Sequence, residues 1–465
     1  MVFIEQNIIV RYLFINNGLI ESWNYKDNNQ LPFKGGVSNS AINRSIRSVI
    51  TSLLGDNTQK VLITLTDQGI VSVSNFLTGV IIGRVCSKHE FGIYSLGLSI
   101  VISAVAIQSA LITMPYMIFS PRIKDMLPQY TGSTLIHQLC LSLLVICSIL
   151  LMQVGISFGI VPRFLGPIGW ALVMAITFIL LKEYARNICF ASLQPKASLV
   201  LDSFAFGFYL SGLLIVTYFG FLSASMVYWV AGTVYGFVAL GWFITNRRRF
   251  SLYFPQAVSD LRKNWSFGKW VFGDYVTLQI GIQLYPWFLT WFHGIAATGV
   301  LAACTGVASL SNPLILGMNN FLGPKLSQAH ALEGTNLVRS IVFKAIFLFL
   351  AVMGLFCLAI LIHGDQFMVF IYGKDYIGNG LIVFFLSIGV LFSALGSPIG
   401  YGFFAMGRPD INFKTNLCGL TLTLTLGLWL TRSFGLMGVA LAVIISNFSV
   451  TIGRCILFTR LFRQV

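Results

Sequence analysis

From about residue 60 to its end the chain is a succession of long apolar runs separated by short polar turns. An α-helix needs roughly 20 such residues to cross a hydrocarbon core of about 30 Å. Lipid offers the backbone no hydrogen bonds, so a spanning segment must satisfy its own, and a helix does. Transmembrane barrels alternate apolar and polar residues over segments of about ten. The runs here are continuous, which excludes a barrel. Composition agrees: 56% of the 465 residues are hydrophobic and 10% are charged, where a soluble domain has roughly 25% charged.

The pattern predicts an all-α integral membrane protein with about 12 transmembrane helices. Their expected limits are 60–82, 93–119, 134–158, 164–182, 198–219, 223–244, 267–291, 295–321, 341–362, 380–404, 412–431 and 435–457. The first and seventh are the most polar, as expected of spans that face a wet interior. Residues 1–56 are polar, with Asn24, Asn28 and Asn29, and read as a cytoplasmic arm, largely disordered. No cleavable leader is evident at Met1–Val10. The eight cysteines form no CxxC pair and read as small apolar side chains; no metal site is expected.

The formal charge is +15. Nucleic acid is one partner a basic chain can take, but topology accounts for the excess more economically. With an even number of spans and the N-terminus inside, about 25 of the 30 Lys and Arg fall on inside segments. The positive-inside rule then places both termini in the cytoplasm, and no nucleic-acid partner is expected. The longest inside connection, Thr245 to Ser266, carries Arg247-Arg248-Arg249. It divides the chain into an arm (1–56), a six-helix bundle (57–244), a basic linker (245–266) and a second six-helix bundle (267–465).

The two halves repeat. Asp67 and Asp274 lie early in spans one and seven, 207 positions apart, and Gly92 and Gly299 open the next spans at the same separation. Ser120-Pro121-Arg122 corresponds to Gly323-Pro324-Lys325, and Pro195 to Pro409. Six spans per half make the repeat parallel, with its axis along the membrane normal. Such repeats are a transporter architecture with the site between the halves. A carboxylate inside a span is costly and marks function by default. Asp67 and Asp274 are therefore candidates for coupling to H⁺ or Na⁺, interhelical pairing being the rival. Gln68, Asn75, Gln279 and Gln283 give the same two spans a polar face for lining a cleft. Asp202 reads as a solvated helix end, Trp287 and Trp291 as an interface belt or sugar-stacking groups, and Pro115 and Pro313 as kinks.

Gly83-Arg84-Val85 followed by Glu90-Phe91-Gly92-Ile93-Tyr94-Ser95-Leu96, and Ile371-Tyr372-Gly373-Lys374-Asp375-Tyr376 before span ten, carry a family resemblance. On these motifs the chain, from about Lys60 to Arg463, resembles the polysaccharide exporter (Wzx, O-antigen flippase) branch of the multidrug/oligosaccharidyl-lipid/polysaccharide (MOP) superfamily, with its MATE-like pair of bundles. The resemblance implies export of an undecaprenyl-diphosphate-linked oligosaccharide across the bacterial inner membrane, without catalytic residues or a cofactor. It leaves open whether polymerase or chain-length machinery joins it. Such a substrate needs cations near its diphosphate, and Arg forks match phosphate oxygens. The candidates are Arg84, Lys269, Arg122, Lys182 and Arg186, each near a span end, where a snorkelling anchor is the alternative. The rival functions are an ion-coupled small-molecule exporter of the same superfamily and a membrane enzyme. The enzyme would need its groups on the longest outside loop, Ile362 to Asn379.

Overall fold

The computed structural model describes residues 56–463 apart from 121–122, 124–125 and 160–162. Residues 1–55 of the arm therefore lie outside the described residues, as does Arg122. The first half comprises α1 (Asp56–Val85), α2 (Lys88–Phe119), α3 (Leu127–Ser157), α4 (Gly169–Ala191), α5 (Pro195–Tyr218) and α6 (Ala224–Thr245). The second comprises α7 (Phe254–His293), α8 (Ile295–Ala308, continued by Asn312–Glu333), α9 (Thr335–Tyr372) and α10 (Gly380–Ala405). Residues 409–434 form α11 and 435–463 form α12, joined at Gly435, whose φ of +58° turns the chain back. Residues with side chains resist that left-handed region.

Ten described segments are long and apolar enough to cross a membrane, one of them spanning α11 and α12 together. α7 is not among the ten, and α1 is at the lower limit of hydropathy. Both are therefore the polar spans, as the sequence predicts. The helices overrun the expected limits. At 1.5 Å per residue, the 38 residues of α9 exceed the hydrocarbon core. The stretch expected as an outside loop, from Ile362, is helix up to Tyr372. The expected linker is partly helix too: α7 begins at Phe254 and runs unbroken for 40 residues.

α3 and α9 are peripheral. Leu143, Leu144 and Leu151 on one and Phe347, Leu355 and Leu361 on the other are exposed, as an apolar solvent would allow. The kinks fall where the prolines predict. A π turn, Ser109–Thr113, interrupts α2 just before Pro115, and a 3₁₀ turn, Ser309–Ser311, interrupts α8 just before Pro313.

The repeat is visible in the contacts. A Cβ on Gly92 would stand 2.1 Å from the Ile295 carbonyl oxygen, and a Cβ on Gly299 would stand 1.9 Å from that of Lys88. Lys88 and Ile295 are themselves 207 positions apart. Each contact is thus the other's image, so the crossing of α2 and α8 lies on the axis relating the halves. Glycine is required there because two backbones meet.

Candidate functional site

Asp67 lies within α1, at 0% exposure, and is held by α4 and α5. Arg186 reaches it through Nη2 at 2.7 Å and reaches Asp202 through Nε at 2.5 Å. Ser198 Oγ donates to the other Asp67 oxygen at 3.4 Å. Lys182 pairs with Asp202 and, at 3.1 Å, with Glu183. Three carboxylates and two cations therefore share one buried cluster. Isolated charges are very costly in a low-dielectric interior, and pairing with satisfied geometry is what allows them. Asp202 is 2% exposed, so it is a core partner and not the solvated helix end expected. Beside the cluster lies a small chamber of about 70 Å³, lined by Asn75, Lys182, Glu183 and Asp202 among others.

The second half holds a much larger chamber, about 520 Å³, within the usual 300–1,000 Å³ of ligand sites. Its wall comes from α7, α8, α10, α11 and α12, with Ser95, Leu98, Ser99 and Ile102 of α2 closing one side. Gln279, Gln283 and five asparagines line it, while Asp274 and Arg454 are the only charged groups among its described lining residues. Asn416 stands between those two. Its Nδ2 donates to Asp274 Oδ1 at 2.9 Å, and its Oδ1 accepts from Arg454 Nη2 at 3.1 Å. Arg454 also reaches Thr415 Oγ1 and the Gly396 carbonyl, both at 3.3 Å. Leu98 of α2 lines both chambers. Two chambers thus adjoin α2, and the larger is lined from both halves.

One end of the molecule is sealed. Arg84 Nε donates to the Ile371 carbonyl at 2.6 Å, and its Nη2 donates to that of Phe370. This ties α1 to the end of α9, whose last carbonyls have no partner within the helix. The Tyr372 side chain lies against Gly79, Gly83 and Gly306, where a Cβ would meet its ring or hydroxyl at 2.2–3.8 Å. Lys88 Nζ sits 5.3 Å from the Tyr376 ring centre, and Glu90 Oε2 accepts from the Ala224 amide at 2.7 Å, where Ser223 caps α6. Both sequence motifs that carried the resemblance thus meet at this end. Asp365 accepts from the Gly378 and Gly380 amides at 2.8 and 2.9 Å, which gives it a capping role at the start of α10. Trp287 Nε1 donates to Ser99 Oγ at 2.8 Å, bridging the halves, while Trp291 is 77% exposed.

The predicted residues thus divide. Gln279, Gln283 and Asp274 line the large chamber. Asn75 and Lys182 line the small one, and Asp67 and Arg186 lie in the ion-pair cluster. Gln68 is buried outside both linings. Arg84 and Lys269 line neither chamber. Arg84 lies at the seal, its guanidinium committed to backbone carbonyls, and Lys269 is exposed on α7. The cation that does line the large chamber, Arg454, is not among the cations the sequence singles out. A signal was available: Arg454 follows Thr451 by three positions and Asn447 by seven, one polar stripe on an apolar helix. Among the described residues no group of three His, Cys, Asp or Glu could hold a metal, and all eight cysteines are free.

The fold, helices in two parallel-repeated bundles around polar chambers, is similar to that of solved membrane transporters. An inward-facing multidrug-resistance MATE transporter matches with a TM-score of 0.67 at 13% identity, covering 86% of this chain and 99% of that one. The lipid II flippase MurJ, in an inward closed conformation, matches at 0.65 and 13%, covering 85% and 86%. By sequence, the chain is 23% identical over 304 residues to the Staphylococcus aureus capsular polysaccharide biosynthesis protein CapF, covering 62% of this chain and 75% of that one. No protein-family model matches it.

Proposed function

We propose that the chain moves an undecaprenyl-diphosphate-linked oligosaccharide, a surface-polysaccharide repeat unit, across the bacterial inner membrane. Both termini are cytoplasmic on this reading, and the Arg84 end faces outward. The lipid tail stays in the bilayer while the polar head, which cannot cross hydrocarbon alone, passes through the chambers as the halves rock. Asp67 and Asp274 couple the cycle to H⁺ or Na⁺. The observation that carries this reading is the lining of the large chamber: among its described residues, seven carboxamides with one acid and one base. Carboxamides both donate and accept hydrogen bonds, as a hydrated glycan requires. Arg454 supplies the positive charge that the anionic head needs and that Arg84 and Lys269 do not bring to the chamber. Similarity to a capsular polysaccharide biosynthesis protein and to a lipid II flippase supports the same class of cargo.

Deletion of the gene tests it. Lipid-linked oligosaccharide should collect on the inner leaflet and surface glycan should fall. Normal surface glycan with altered dye efflux would favour a small-molecule exporter instead.

A further inference from the structure

The large chamber exists because the repeat changes its side chains. Pro195 and Pro409 stand 214 positions apart, and the same separation pairs Glu183 with Ser397, Arg186 with Gly400, Ser198 with Asn412 and Asp202 with Asn416. In the first half three of these four positions are charged. Arg186 is the bulkiest of the fully buried side chains among the described residues, and the adjoining chamber is about 70 Å³. In the second half the arginine position is a glycine, the Glu183 and Asp202 positions are neutral, and the chamber is about 520 Å³.

Two side chains on its wall are half used. Asn319, on α8, is 0% exposed; its Oδ1 accepts from Ser397 Oγ at 2.9 Å, and its Nδ2 has no hydrogen-bond partner among the described residues. Turning the amide would free the oxygen instead, because the one Ser397 proton also reaches the Ala394 carbonyl at 2.9 Å. Asn412, on α11, is 2% exposed; its Nδ2 donates to the Gly400 carbonyl at 3.1 Å, and its Oδ1 has no such partner. Ser397 and Gly400 are one turn apart on α10, so both open groups flank the same turn. A Cβ on Gly400 would lie 3.4 Å from both Asn412 Oδ1 and Arg454 Nη1, which puts the acceptor and the cation over the same glycine. A buried polar group left unpaired is costly, and in native proteins it calls for a partner.

We propose that Asn319 and Asn412 form a sugar subsite over Gly400, each taking a hydrogen bond from or to a ring hydroxyl or acetamido group, beside the Arg454 guanidinium. The inference rests on the function proposed above and names where the glycan is read. A hydroxyl both gives and takes a hydrogen bond, so one sugar ring satisfies an open amide in either setting. A site built to bond such groups discriminates strongly against ligands that lack them.

The test uses the full chain purified in detergent and native mass spectrometry. The probes are undecaprenyl diphosphate and lipid-linked oligosaccharide extracted from the source cells. Wild type should retain the glycosylated lipid over the bare one. N319L and N412L should each weaken glycosylated-lipid retention about tenfold, the loss of one good hydrogen bond, and leave the bare lipid unchanged. Should either leucine variant fail to elute as a folded species, N319A and N412A take its place. If the variants keep wild-type preference for the glycosylated lipid, the subsite is wrong while the proposed function stands. If wild type does not favour the glycosylated lipid, both fall.

Discussion

Two carboxylates of the buried cluster have different neighbours, and substitutions should separate them. Asp202 bonds both Lys182 and Arg186, whereas Asp67 bonds Arg186 and Ser198. Asp202→Asn removes the one carboxylate that contacts both buried cations at close range and should cost about 3–5 kcal/mol, the usual cost of breaking a buried pair. Asp67→Asn leaves Glu183 and Asp202 to balance Lys182 and Arg186, so the fold should hold while transport falls. Thermal unfolding in detergent beside a transport assay checks the order; equal destabilisation of both variants would contradict it. Asp67 and Asp274 were legible in the sequence because a carboxylate inside an apolar span has to be explained. Asp202 was not, since its distance from the helix end gives no sign of the Arg186 that meets it from another helix. Arg454 was missed for a related reason: a cation near the end of a last span looks the same whether it anchors or lines a chamber.

At the scale of elements, α2 and α8 cross where Gly92 and Gly299 let backbones touch. A side chain there overpacks the crossing, at a cost of about 1–3 kcal/mol to the sealed state. Gly299→Val should therefore lengthen the distances between spin labels placed at positions 87 and 374; unchanged distances would show that the crossing is not what holds this end shut. Arg84→Ala removes two charge-assisted bonds to the end of α9, each worth roughly 1.5–3 kcal/mol. It should widen the same distances and leave lipid retention near wild type. Loss of retention would instead return Arg84 to the cationic role expected from the sequence. The kinks, the repeat and the polar character of α1 and α7 could all be read from proline, glycine and hydropathy alone. The length of α9 could not, because hydropathy marks where the membrane ends and not where the helix does.

Over the whole molecule, one scaffold is used twice with different contents: a packed ion-pair cluster on one side of α2, an amide-lined chamber on the other. The even-span parallel repeat could be inferred from matched glycines and prolines, and it implied a site between the halves. The displacement of the large chamber into the second half could not, because it depends on which side chains fill the interior, such as Gly400 where the repeat has Arg186. The most direct measurement reconstitutes the purified chain in vesicles with lipid-linked oligosaccharide in both leaflets and follows the glycan accessible to a membrane-impermeant oxidant. Accessible glycan should rise with time well above the outer-leaflet share of protein-free vesicles, and Gly400→Leu, which crowds the chamber wall beside Asn412 and Arg454, should slow the rise. Accessibility that stays at the protein-free level with the wild-type chain would contradict the account.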